Sequence, residues 1–110
     1  MQLKRPTLLL DKNKCLENIR KMKNKAEKYG LIFRPHFKTH QSAEIGKWFK
    51  NEGIDRIAVS SVSMANYFAQ NGWNDIAIAF PLNIAELDEV IALSHQTNLH
   101  VVIENMDALT

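Results

Sequence analysis

The sequence contains no Gly-x-Gly-x-x-Gly, no Gly-x-x-x-x-Gly-Lys-Ser/Thr and no Gly-x-Ser-x-Gly. The usual signatures of dinucleotide binding, of a phosphate-cradling loop and of a serine nucleophile on a strand-to-helix turn are therefore missing. A single cysteine, Cys15, excludes an internal disulfide and suits a reducing compartment. No apolar run approaches the ~20 residues needed to span a bilayer. The N-terminus has no apolar stretch followed by a small-residue cleavage site, so a cytoplasmic protein without a membrane partner is expected. The basic residues of the first helical stretch have no interleaved aromatics on which bases would stack, so nucleic acid is not expected as a partner.

What is present fits one small core: 110 residues, 45% of them hydrophobic, with a formal net charge of +2. The charge is uneven. Residues 1–50 hold thirteen Lys/Arg against four Asp/Glu, a net of +9, and residues 51–110 hold one against eight, a net of −7. Solvated faces, halves that complement each other and an anionic partner are the readings of such asymmetry.

Residues 6–10 read as a short apolar strand. Asp11 or Asn13 then caps a helix to about Tyr29, with Cys15, Ile19, Met22, Ala26 and Tyr29 at helical spacing. Cys15 on that stripe reads as a core thiol rather than a nucleophile. A strand Leu31–Arg34 follows. Ser42 caps a second helix to Glu52, with Ile45, Trp48 and Phe49 on one face. Arg56–Ser60 is a strand, and 62–71 a helix with Val62, Ala65, Phe68 and Ala69 inward. Asp75–Phe80 is a strand closed by Pro81. Asn83-Ile-Ala-Glu86 predicts a capping box for a helix that turns Leu87, Val90, Ile91 and Ser94 inward. Leu99–Ile103 is another strand, and Asn105 opens a last helix. Gly30, Gly53 and Gly72 each follow a helix and precede an apolar residue, as left-handed C-caps do, and Asn98 before Leu99 is expected to repeat the device. Strands alternating with helices at this spacing predict an α/β fold of parallel βα units. Two architectures fit: an open doubly wound sheet, or about the first half of a TIM-type (β/α)8 barrel, since a whole barrel needs about 250 residues and four units are about half of one. A partial barrel leaves exposed sheet edges, so pairing with a second copy, a homo-oligomer, is expected.

The chemistry concentrates in Leu31-Ile-Phe-Arg-Pro-His-Phe-Lys-Thr-His-Gln41. If the chain is extended there, Arg34, His36 and Lys38 share one face and Phe33, Pro35 and Phe37 the other. In parallel βα folds functional groups sit at the C-terminal ends of strands, where Lys38, His36, Thr39, His40 and Gln41 would lie. Desolvation there, together with cationic neighbours, would free the Lys38 amine as a nucleophile toward a carbonyl compound. A solvated surface lysine is the plain alternative. His36-x-x-x-His40 suits zinc only on a helix, which Pro35 disfavours, and no third ligand is near. No metal ligand is therefore assigned in this chain. His95 and His100 read as structural or solvated.

Arg34-Pro-His-Phe-Lys-Thr-His40 resembles the Arg-Pro-His-x-Lys-Thr-His motif of the D-threonine aldolase/D-serine dehydratase group. These are fold-type III pyridoxal-phosphate enzymes with an alanine racemase-like N-terminal barrel. Pro6-Thr-Leu-Leu-Leu-Asp11 is similar to that group's opening strand, and Asp75-Ile-Ala-Ile-Ala-Phe-Pro81 to its third. The resemblance covers nearly all 110 residues. It implies that residues 1–110 are the N-terminal, incomplete part of a pyridoxal-phosphate-binding barrel. Lys38 would form the internal aldimine, with Arg34, His36, Thr39, His40 and Gln41 as supporting cofactor-site residues. The implied activity is a lyase acting on D-amino acids, an aldolase or dehydratase, with a racemase of the same fold and a truncated non-catalytic βα module as alternatives. Freed Lys38 would act as base while the cofactor ring takes up the Cα carbanion. In the full-length enzymes a divalent metal, bound by a C-terminal domain outside this chain, would polarise the β-hydroxyl. The sequence departs from the group at Met64-Ala65-Asn66, where many members have Glu-Ala-Glu, and the resemblance implies that this chain alone does not turn over.

Overall fold

In the computed structural model, which describes residues 2–109, the chain divides after Ile32 into two compact units. The first is a helix with extended flanks. Helix α1 spans Lys12–Lys28. The Asp11 carboxylate accepts the Lys14 N–H at 3.1 Å and so satisfies one orphan donor of the first turn. Lys25 and Lys28 occupy the last turn, where the helix dipole favours cations. Gly30, at φ 65°, then reverses the chain, and the Leu31 N–H returns to the Ala26 carbonyl at 2.8 Å. Ile19 and Ala26 are buried, Cys15 is half-buried, and Met22 and Tyr29 are exposed. The expected apolar stripe is thus inward only at Ile19 and Ala26, with Cys15 partly covered.

Two expected strands do not form. Residues 6–10 carry no ladder, and Leu8, Leu9 and Leu10 are exposed. Leu31–Arg34 is irregular as well. What the second unit retains of that strand is one parallel bridge, His36 to Ala58, with the Pro35 carbonyl accepting the Ala58 N–H at 2.9 Å. A short apolar run announces a strand, but a strand exists only where a neighbour supplies the ladder, and Pro35 has no N–H to give one.

The second unit is the βα series. A 3-10 turn, Phe37–Thr39, leads to helix α2, Ala43–Asn51. Strand β1 is Ile57–Val59, helix α3 Val62–Gln70 and strand β2 Asp75–Pro81. A second 3-10 turn, Ile84–Glu86, precedes helix α4, Leu87–Ser94. Strand β3, Asn98–Val102, and helix α5, Met106–Leu109, complete it. The strands lie in the order β1-β2-β3, all parallel. Ile57, Ile76 and Leu99 are in register, as are Val59, Ile78 and Val101. Successive residues alternate faces, so these form one apolar face, and Ile57, Val59, Ile76 and Ile78 on it are buried. The opposite face carries Ala58, Ala77 and His100 in register, with His36 beside Ala58.

The caps follow the sequence pattern where they are local. Ser42 accepts the Ile45 N–H at 3.3 Å and Ser61 the Met64 N–H at 3.1 Å. Gly53 and Gly72 take positive φ, 83° and 91°. Three expectations are corrected. Asn83 caps the 3-10 turn through the Ala85 N–H, and Glu86, at the N-cap of α4, makes no side-chain cap bond. On α4 the buried residues are Val90 and Leu93, while Leu87, Ile91 and Ser94 are exposed. Both stripes have helical spacing, and packing on the sheet selects one of them. Asn98 is not left-handed. It opens β3, and α4 is closed instead by Thr97, whose N–H and hydroxyl both donate to the Leu93 carbonyl at 3.1 Å.

The core of this unit is aromatic. The Phe37 ring is fully buried, with ring centroids of Phe49, Phe68 and Trp73 at 4.9, 4.9 and 5.0 Å. Gly46 of α2 lies over this cluster. A Cβ there would meet Phe37 at 3.2 Å and the Trp73 indole nitrogen at 3.3 Å. Lys50, one turn on, donates to the Gly72 carbonyl and lies 5.0 Å over the Trp73 ring.

At the starts of β1 and β2 Arg34 ties the unit together. Its guanidinium donates to the Ile57 carbonyl at 2.9 Å and to the Asp75 carboxylate at 2.7 Å. Asp75 also receives His100 Nε2 at 3.3 Å and Asn98 Nδ2 at 3.4 Å. Burial works to raise the Asp75 pKa, but the bond and charge of Arg34, with His100 and Arg56 nearby, hold it below its usual value of 3.8.

Two outcomes follow. Gly46→Ala would gain about 1 kcal/mol of helix propensity in open space. Against the packed rings it should instead lower the urea midpoint, because overpacking costs about 1–3 kcal/mol. Asp75→Asn should cost about 1–2 kcal/mol at neutral pH. The folded pKa lies below the unfolded one, so this contribution is complete above 3.8 and is lost as pH falls through the folded value. Urea midpoints of the variant and the parent, measured against pH, should converge in that acid range.

Candidate functional site

Lys38 is held from both sides by backbone chemistry. Before it, His36 is pinned to β1 by the parallel bridge. Adjacent to it, the Phe37 ring is sunk into the aromatic core. After it, the Gln41 N–H donates to the Phe37 carbonyl at 2.9 Å and the Gln41 side chain to the Lys38 carbonyl at 3.3 Å. The Thr39 hydroxyl donates to the His36 carbonyl at 3.4 Å. Gln41 itself sits at φ 50°, the only non-glycine residue with positive φ among those described. That left-handed step turns the chain into the Ser42 cap of α2.

The Lys38 side chain is exposed, and among the described residues no carboxylate pairs with it. The desolvation anticipated from its place in a barrel mouth is absent in this chain. Arg34 is not one of its neighbours in effect. Its charge is bound to Asp75 at the start of β2, whereas His36 stands level with Ala58 and Lys38 lies beyond it toward the strand ends. The 3-10 turn begins at Phe37, so the extended alternation stops before Lys38.

The two histidines share a role. His36 Nδ1 accepts the N–H of Lys38 at 3.2 Å, and His40 Nδ1 accepts the N–H of Ser42 at 3.0 Å. Each ring thus takes the amide two residues on, one holding the lysine turn and the other the start of α2. An accepting Nδ1 carries no hydrogen, so each neutral ring is protonated at Nε2. Burial lowers the pKa of both below 6.5, and the Lys38 charge lowers that of His36 further. His40 packs at 4.5 Å from Phe37 and stacks on Phe49 at 5.8 Å, and its Nε2 is buried without a hydrogen-bond partner. No group of three or more His, Cys, Asp or Glu among the described residues is placed to hold a metal.

Beside the turn lies an open cavity of about 330 Å³ lined by Gln41, Ser61, Ser63, Met64 and Tyr67. The Tyr67 hydroxyl accepts the Ala43 N–H at 2.9 Å and so joins α3 to the start of α2. Sequence reasoning did not find Tyr67, Ser61 or the Asp75 hub. Ser61 carried a signal, being a hydroxyl residue directly before an apolar helical stripe. Asp75 and Tyr67 carried none, because their partners lie 41 and 24 residues away. No described helix is long and apolar enough to cross a membrane.

No protein-family model matches the chain. A D-serine dehydratase of Dictyostelium discoideum is 31% identical over 111 residues, covering 93% of this chain and 27% of that protein. A solved D-threo-3-hydroxyaspartate dehydratase from Delftia sp. HT23 superposes with a TM-score of 0.89 at 25% identity, over 96% of this chain and 28% of its own. An alanine racemase-like protein from Idiomarina loihiensis superposes with a TM-score of 0.80 at 30% identity, over 87% of this chain and 26% of its own. The chain thus spans between a quarter and a third of the length of these relatives. Over nearly its whole length the chain is thus similar to part of these D-amino-acid dehydratases, and its parallel α/β fold is the matching portion of alanine racemase-like, TIM-barrel-type structures.

Proposed function

We propose that this chain carries the cofactor-attachment lysine of a pyridoxal-phosphate-dependent lyase acting on D-amino acids, and that Lys38 is that lysine. The observation that carries the reading is the presentation of Lys38. An amine free of carboxylate partners stands on a turn fixed on both sides, past the point where its segment pairs with β1. The donor set fits the group, because a primary amine that no carboxylate covers is accessible to condense with an aldehyde. When bound, pyridoxal phosphate supplies that aldehyde and a conjugated ring that takes up electron density from the substrate Cα.

The chain's own residues have separate tasks in this reading. Lys38 Nζ would be the attachment atom and, when not attached, would be available as a base toward the substrate Cα proton. His36 and Gln41 fix the backbone on either side of it, Thr39 ties the turn to His36, and His40 seats α2 on the aromatic core. Arg34 contributes at a distance, by clamping the starts of β1 and β2. The choice between β-elimination and retro-aldol cleavage belongs to the complete architecture of the relatives, as do the divalent metal and full turnover. Residues 1–110 read as the incomplete N-terminal part of that barrel domain. A cytoplasmic location and assembly with a second copy belong to the same reading.

Incubation with pyridoxal phosphate should give an absorbance band that borohydride reduction makes permanent, and peptide mass spectrometry should place the adduct on Lys38. Lys38→Ala should abolish both. Adduct on other lysines only, or an unchanged yield in the variant, overturns the assignment.

A further inference from the structure

We propose that His36 is the positioning residue for Lys38, its neutral ring accepting the lysine's backbone N–H and its protonation releasing the turn. This rests on the reading of Lys38 as the attachment lysine for its importance, but not for its geometry.

The 3-10 turn Phe37–Thr39 begins with amide donors that have no partner inside it. At helix starts such donors are met by Ser, Thr, Asp or Asn. Here the cap is a histidine, and its Nδ1 lies 3.2 Å from the Lys38 nitrogen. A carboxylate or hydroxyl in the same place would keep accepting through the neutral range. An imidazole accepts only while Nδ1 is unprotonated. Protonation turns the acceptor into a donor facing the Lys38 N–H and adds a positive charge beside the lysine's own. The bond and the charge pattern therefore change together at one atom.

The surroundings favour the accepting state. His36 is half-buried, and its backbone is pinned by the bridge to Ala58. The charged or titratable groups to weigh are Lys38 on its own turn, Arg34 two residues before, Arg56 just ahead of β1, and His100 of β3 on the same sheet face. Arg34 is engaged by Asp75 and Arg56 by Asp55 at 3.2 Å, so neither carboxylate is free to stabilise a cation at His36. Burial and the Lys38 charge both act against protonation. The same coupling runs in reverse. Neutralising Lys38 removes one of the two restraints on His36, so the ring's affinity for a proton reports the lysine's charge. Because the folded pKa lies below 6.5, the acceptor is fully present above that value and is lost as pH falls through the folded one.

The test is nuclear magnetic resonance on the full chain without cofactor. The Lys38 amide shift should follow the titration of the His36 ring, and the ring nitrogens should show the Nε2-protonated tautomer. In Lys38→Met the His36 titration should move to higher pH. In His36→Asn, whose Oδ1 can accept the same amide, protection of the Lys38 amide should persist and its pH dependence through the histidine range should vanish. In His36→Ala that protection should drop by about tenfold, the worth of one hydrogen bond of roughly 1.4 kcal/mol. If His36→Ala fails to fold, the parent, His36→Asn and Lys38→Met still decide. A Lys38 amide indifferent to the His36 titration, or a His36 titration unmoved in Lys38→Met, overturns the proposal. Absence of a borohydride-fixed adduct with these signals intact would refute the cofactor reading and leave the coupling standing.

Discussion

The burial of one ring governs the placement of the lysine. Phe37 has no exposed surface and contacts aromatic groups from three other elements: Phe49 of α2, Phe68 of α3, and Trp73 ahead of β2. Burying a ring of that size contributes about 2–3 kcal/mol, a large share of the stability of so small a unit. The adjoining residue cannot move without lifting the ring. Lys38 is therefore a solvent-facing side chain on a backbone fixed from below, the arrangement in which an exposed nucleophile keeps a defined position.

The same constraint accounts for the composition of α2. Helices resist glycine, yet Gly46 stands in the middle of this one because the helix must approach Phe37 and Trp73 closely. His40 fills the remaining side of Phe37 while its Nδ1 holds the amide of Ser42. Core, cap and turn thus share residues. The histidines that suggest a metal pair in the linear motif are occupied with backbone amides. Arg34, which looks like a third member of a cationic cluster, works at the opposite end of the strands.

Legibility followed the range of the interaction. Ser42, Gly30, Gly53 and Gly72 were readable because a cap involves residues within one turn of each other. The parallel βα series was readable for the same reason, as a repeated local pattern. The strand at residues 31–34 was over-read, since an apolar run says nothing of whether a neighbour will pair. On α4 the sequence offers two overlapping stripes, Leu87/Ile91 and Val90/Leu93, and the contact with the sheet chooses between them. The Asp75 hub joins residues 34, 75, 98 and 100 and left no local trace. Lys38 was singled out by motif. The acceptor role of His36 was not, because histidine is an uncommon cap and the bond depends on its tautomer.

Trp73 gives the molecule an optical property. Its indole is almost wholly buried, edge-on to Phe37 and beneath the Lys50 ammonium, whereas Trp48 on α2 is half-buried. A dry indole emits at shorter wavelength than a wet one, so intrinsic fluorescence has a blue component from Trp73 and a redder one from Trp48. The blue component reports whether Phe37 is seated. The chain thus carries, one ring away from its lysine turn, a native chromophore that signals the integrity of that turn without any label.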